Sequence, residues 1–162
     1  MKLTVVSDTH GNRDRLEQVV DANRDSDLFI HLGDGLREIW GVSQDQPDLD
    51  FVYVKGNCDL LCNVTDCPAE EIVEKAGVRI FCAHGHEYNI YSGLNQITDR
   101  ANSLNCGIVL YGHTHISLVD FYNGVYIMNP GSLSQPRAGH RPSYGVITIS
   151  DDGKVGMDIV EY

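Results

Sequence analysis

The chain has 162 residues, 42% of them hydrophobic, and 23 acidic against 12 basic side chains give a net charge of −11. That length suits one domain with a substantial core, and we expect a single domain over residues 1–162. Such an acidic chain, with no basic stripe, repels a polyanion, which excludes a nucleic-acid duplex as partner, and no apolar stretch approaches membrane-spanning length.

In chain order, Leu3 to Val6 is an apolar run short enough for a buried strand, and it is too short for the apolar region of a signal peptide. Arg13 to Arg24 carries Leu16, Val19, Val20 and Asn23 at helical spacing, with Asn12 as N-cap. Leu28 to Ile30 predicts a second strand, and a glycine-flanked connection leads to a third at Phe51 to Val54, a βαβ start. Glu70 to Phe81 reads as a hairpin around Lys75-Ala76-Gly77, and Ile90 to Leu104 as a second amphipathic helix ending near Asn105. Ile108 to Leu110 predicts another strand. After His115 come consecutive strands, with turns at Tyr122-Asn123-Gly124-Val125 and Ser150-Asp151-Asp152-Gly153-Lys154. The pattern predicts two packed sheets with helices outside.

The five cysteines are Cys58, Cys62, Cys67, Cys82 and Cys106. Their odd number and the lack of paired C-x-x-C spacing predict reduced thiols in a cytoplasmic protein. Cys58, Cys62 and Cys67 are close enough to suggest a second metal or redox site, but no fourth ligand is suitably spaced.

The chemistry sits where the strands end. Ser7-Asp8-Thr9-His10-Gly11 follows the first strand, Gly33-Asp34 the second and Gly56-Asn57 the third, while Ala83-His84-Gly85 and Gly112-His113-Thr114-His115 follow the runs ending at Phe81 and Leu110. Loops converge at the carboxyl edge of an open α/β sheet, so these residues can share one cleft. Asp8 and His10 are two apart, as are His113 and His115, and on an extended segment each pair faces one side. Four imidazoles, two carboxylates and an amide are too nitrogen-rich for calcium and too oxygen-rich for a structural zinc cage. They favour manganese, iron, zinc or nickel with open positions, in a two-metal hydrolytic site.

Asp8-x-His10, Gly33-Asp34, Gly56-Asn57-Cys58-Asp59, His84 and Gly112-His113-x-His115 resemble, in order and spacing, the motif series of the calcineurin-like metallophosphoesterases. The short length, the Gly56-Asn57-Cys58-Asp59 segment and Asn129-Pro130-Gly131-Ser132 make the chain similar to the small bacterial and archaeal phosphodiesterases of that superfamily. The resemblance implies an α/β fold of four layers, α/β/β/α, with two packed mixed sheets. It also implies that Asp8, His10 and His115 hold a first metal, that Asn57, His84 and His113 hold a second, and that Asp34 bridges. Two divalent ions are expected, manganese first, with nickel, zinc, iron or magnesium as alternatives.

The expected function is metal-dependent hydrolysis of small phosphodiesters by in-line attack of a metal-bridging hydroxide, with Asp34, Asn57 and His84 central to catalysis. Cys58, His86 and Arg137 are the candidate substrate contacts. Cys58 stands where many superfamily members carry histidine. His31 and Asp59 are open between support of the ligands and ordinary structural roles, and Arg137 and His140 between a phosphate clamp and a solvated loop. The alternatives are a scaffold similar to the retromer subunit of that superfamily and a metal-binding module without turnover. The sequence leaves both a monomer and a homo-oligomer open.

Overall fold

The computed structural model describes residues 1–59 and 67–162. Cys62, and with it the reading of Cys58, Cys62 and Cys67 as one site, lies outside the described residues.

One sheet contains β1 (Lys2–Val6), β2 (Leu28–His31), β3 (Phe51–Tyr53), β9 (Ser143–Ile149) and β10 (Val155–Glu161), in the order β10-β9-β1-β2-β3. The other contains β4 (Glu70–Lys75), β5 (Val78–Ala83), β6 (Ile108–Tyr111), β7 (Leu118–Tyr122) and β8 (Val125–Asn129), in the order β4-β5-β6-β8-β7. Both are mixed. β1, β2 and β3 run parallel in the first sheet, with antiparallel β9 beside β1, and β5, β6 and β8 run parallel in the second between antiparallel β4 and β7.

Alternation along the strands builds the layers. Leu3, Val5 and Ile30 meet Ile80, Cys82, Leu110 and Met128 between the sheets, all essentially buried. The opposite faces carry Val6 and Phe29, which pack under α1 (Arg13–Ala22) and α2 (Leu36–Asp45), and Phe81, Val109 and Ile127, which pack under α3 (Asn95–Ser103). The period of two thus sends successive side chains into different cores. The result is the expected four-layer α/β/β/α sandwich. No helix among the described residues is long and apolar enough to cross a membrane.

Several local expectations hold. Asn12 caps α1, its side chain accepting the backbone N–H of Arg15. The β4–β5 hairpin turns through Ala76 and Gly77, both at positive φ. Two expectations are corrected. The glycine-flanked connection after β2 contains a full helix, α2, whose buried Leu36, Ile39 and Val42 lie at helical spacing. The expected helix over Ile90 to Leu104 is shortened, because Gly93 at φ 134° separates a 3₁₀ turn at Ile90–Ser92 from α3. Only glycine adopts that backbone at little cost.

Candidate metal centre

The parallel strands of both sheets deliver their carboxyl ends to one place, where backbone bonds tie the loops together. The Asp8 N–H donates to Gly33 O at 3.0 Å, the His10 N–H to Asp34 O at 3.0 Å, and the Gly112 N–H to His84 O at 3.0 Å. The loops are not extended, as the reading of Asp8 with His10 and of His113 with His115 assumed. All four residues, and Asp34, have positive φ, between 42° and 65°. Their side chains converge through tight left-handed turns, a backbone that non-glycine residues hold at a cost of order 1 kcal/mol each. Glycines make the close approach feasible. A Cβ on Gly56 would collide with the Asp34 carboxylate, and one on Gly112 with the Ser7 hydroxyl.

Three overlapping donor sets result: Asp8, His10 and His115; Asp8, Asp34 and His84; and His10, Asp34 and Cys58. Within each set the ligand atoms lie within 4.8 Å of one another. Asp34 Oδ2 stands 3.4 Å from His84 Nε2 and 3.8 Å from His10 Nε2, between the two sides of the cluster. Its other oxygen accepts the Cys58 N–H at 2.7 Å. His113 stands outside these sets, its ring centroid 5.1 Å from that of His84. Asn57 is exposed, and its amide donates to Cys58 Sγ at 3.3 Å.

The histidines are aimed. His84 Nδ1 lies 2.7 Å from Leu32 O and His115 Nδ1 lies 2.6 Å from Gln135 O. A carbonyl only accepts, so each Nδ1 carries the proton and each Nε2 is left as the ligand-type nitrogen, turned into the cluster. Asp8 Oδ2 accepts from the Ser7 hydroxyl at 2.6 Å and the His113 N–H at 3.1 Å. Among the described residues, Asp8 Oδ1 and His84 Nε2 are buried without any hydrogen-bond partner, as is His86 Nδ1 outside the donor sets. Buried polar atoms are ordinarily satisfied, and the first two belong to a nitrogen- and oxygen-rich donor set, so the residues present fit divalent transition metals.

Charge follows the same design. Burial opposes ionisation of Asp34, but the contacts with His84 and the Cys58 amide outweigh it and hold the carboxyl well below the usual range. Burial likewise disfavours charge on His84 and His115, yet Asp34 and Asp8 respectively raise both. Burial, with His84 nearby, lowers His113 and His86. Desolvation and the Asp34 carboxylate push the Cys58 thiol up to about 11.

The surrounding residues divide. His31 is fully buried, its Nδ1 accepting the Gly33 N–H at 3.2 Å and its Nε2 3.2 Å from the Thr9 hydroxyl, so it supports the loop bearing Asp34. The Asp59 carboxylate accepts four backbone N–H groups, those of Asp34, Gly35, Leu36 and Gly56, and is therefore structural. His86 stands beside His84 and His113, with ring centroids 5.4 and 6.2 Å away. Arg137 donates its backbone N–H to His115 O and its guanidinium to the Tyr91 hydroxyl, at 3.1 and 2.8 Å. His140 pairs with the Ser117 hydroxyl instead. The turn after Asn129 forms part of the wall, since the Ser132 hydroxyl donates to Asp8 O at 2.7 Å. Sequence reasoning missed Tyr91, whose ring lies 5.3 Å from His113 and whose hydroxyl donates to His113 O at 3.3 Å. The signal was an aromatic side chain just before Gly93 in a stretch read as regular helix.

Comparison with known proteins agrees with this geometry. YsnB of Bacillus subtilis, named a probable metallophosphoesterase, is 32% identical over 155 residues, covering 94% of this chain and 86% of its own. The Escherichia coli phosphodiesterase YfcE is 29% identical over 170 residues, covering 91% of this chain and 87% of its own. Its solved structure superposes with a TM-score of 0.69 over 99% of both chains, at 25% identity. Vps29 of Cryptosporidium parvum shares the fold, with a TM-score of 0.77 over 99% of this chain and 97% of its own at 18% identity. The family model described as the calcineurin-like phosphoesterase superfamily domain matches residues 1–152, and the chain accordingly belongs to that superfamily.

Proposed function

We propose that the protein is a metal-dependent phosphodiesterase acting on small phosphate esters. The observation that carries this reading is the pair of partnerless buried atoms, Asp8 Oδ1 and His84 Nε2, within a cluster of oriented histidines. Asp8, His10 and His115 would hold one cation and Asn57, His84 and His113 the other, with Asp34 shared. When bound, two such cations, manganese by preference, supply Lewis acidity to the phosphoryl oxygens and make water more acidic.

The chain's own groups do the rest. Leu32 O and Gln135 O fix the tautomers of neutral His84 and His115, which leaves each Nε2 lone pair turned into the cluster. Asp34 stays ionised and keeps its charge at the centre of the cluster. Arg137 and Tyr91 form a polar rim beside His113 and His115, suited to orient a diester for in-line attack by water. Cys58, at the opposite edge, is a weak donor. The likeness to the probable metallophosphoesterase YsnB and the phosphodiesterase YfcE supports an esterase, and the convergence of Asp8, His10, Asp34, His84 and His115 favours turnover over a scaffold role. The thiols of Cys58, Cys82 and Cys106, free among the described residues, support a reducing, cytoplasmic setting.

Anomalous diffraction from manganese-loaded crystals tests the assignment. Two sites are expected in the wild type, one after His115→Ala and one after Asn57→Ala. A fully occupied pair in either variant would overturn the split.

A further inference from the structure

We propose that Arg37 selects diesters that carry a second anionic group, a phosphate or carboxylate, on one alcohol arm. The inference rests on the phosphodiesterase reading and names its substrate class. A cleft of about 280 Å³ opens beside the cluster, lined by His10, Asp34 and Cys58 of the donor sets together with Gly11, Arg37 and Glu38. Arg37 is exposed on the first turn of α2 and bonds no described residue. In this it stands apart from every other arginine of the chain. Arg13 is tied to Glu17, Arg24 to Asp48, Arg79 to Glu74, Arg100 to Glu70 and Arg141 to Glu161, while Arg15 donates to Leu133 O and Arg137 to the Tyr91 hydroxyl.

In a chain of net charge −11, a guanidinium beside the cluster that pairs with no acid among the described residues is available for an anion. The acids around it do not take it. Asp59 also lines the cleft, but its oxygens are committed to four backbone N–H groups, and Asp34 is committed to the cluster. Glu38 lines the same cleft without pairing with Arg37, and its carboxylate suits a hydroxyl on the same substrate arm. The bonds from Asp59 also occupy the N–H groups at the start of α2, so the side chain of Arg37, and not the helix terminus, is the free cationic element. A second cleft, lined by Asn12, Asp14 and Gln135, shares His10 and Gly11 with the first and leaves room for the other ester arm.

The test uses matched nitrophenyl diesters whose second arm is propyl, 2-carboxyethyl or 2-phosphoethyl, assayed with the manganese-loaded protein. Wild type should favour the two anionic arms by about tenfold in kcat/KM, through KM, and the preference should shrink with added salt. Arg37→Gln should lose that preference while keeping wild-type turnover of the propyl ester, and Arg37→Lys should restore part of it. Calorimetry with the corresponding non-hydrolysable phosphonates should show the same order without turnover. Equal KM for all arms in wild type, or a preference that survives Arg37→Gln, overturns the role of Arg37. No turnover of any ester by wild type would instead overturn the phosphodiesterase reading. A preference for carboxylate alone or phosphate alone identifies which anion the cleft takes and supports the proposal.

Discussion

The carboxylate of Asp59 accepts the backbone N–H of Asp34 at 2.8 Å, and with the same two oxygens it holds the N–H groups of Gly35, Leu36 and Gly56 at 2.7 to 3.0 Å. One side chain thereby fixes the turn that presents Asp34, caps the start of α2 and ties the Gly56 loop to both. Asp59→Asn replaces one acceptor by an NH₂ group facing backbone donors. Loss of about 2 to 4 kcal/mol of stability is expected, with metal affinity down about 10- to 100-fold. Urea denaturation and metal titration of the variant measure both. A variant as stable as wild type would show that the four bonds are dispensable.

His31 should remain neutral far into the acid range. Burial lowers its pKa from 6.5 to about 4, and the nearby carboxylates only partly oppose this. Because the folded value lies below the unfolded one, the unfolded chain takes up the proton first. The contribution is therefore present above about pH 6.5 and fades as pH falls toward 4, reaching about 3 kcal/mol in total. In the metal-free protein, NMR of the His31 ring should show a neutral imidazole with its proton on Nε2 down to about pH 5. A ring that charges near its ordinary pKa would contradict the buried, doubly bonded arrangement.

Cys58 gives a prediction about leaving groups. A thiol is a weak hydrogen-bond donor and gives a leaving alkoxide little help. Aryl diesters, whose leaving groups need no proton, should be cleaved far better than alkyl diesters. Cys58→His should raise turnover of an alkyl diester by about tenfold or more, with a smaller effect on an aryl one. Steady-state rates on the two substrates measure this. If the folded, metal-loaded variant shows no relative gain, Cys58 only fills space.

Much of the architecture was legible because it is local. Strand runs from Leu3, Leu28, Val78 and Ile108, the Asn12 cap and the Ala76-Gly77 turn are written in neighbouring residues. The helix α2 escaped notice because its start is not local. Gly35 offers no capping side chain, and the cap comes from Asp59, twenty-three residues beyond Leu36. Candidate donors were legible at strand ends, and the structure groups Asp8, His10, Asp34, His84 and His115 but not His113, while the geometry was not legible. Residue spacing suggested extended pairs, whereas Asp8, His10, His113 and His115 all sit at positive φ, imposed by bonds between loops of different strands. Arg37 and Tyr91 gave no motif, since their relation to the cluster arises only when α2 and the Ile90–Ser92 turn pack around it.

The cluster around Asp34 is proposed to bind metal and cleave phosphate esters. Release of nitrophenol from bis(p-nitrophenyl) phosphate, followed for chelated protein, for protein resupplied with manganese, and for Asp34→Asn under the same conditions, tests it most directly. Negligible release is expected after chelation, recovery with manganese, and a loss of at least about a thousandfold in the variant, which lacks the carboxylate proposed to be shared between two cations. Activity that is indifferent to chelation, or an Asp34→Asn protein as active as wild type, would contradict it.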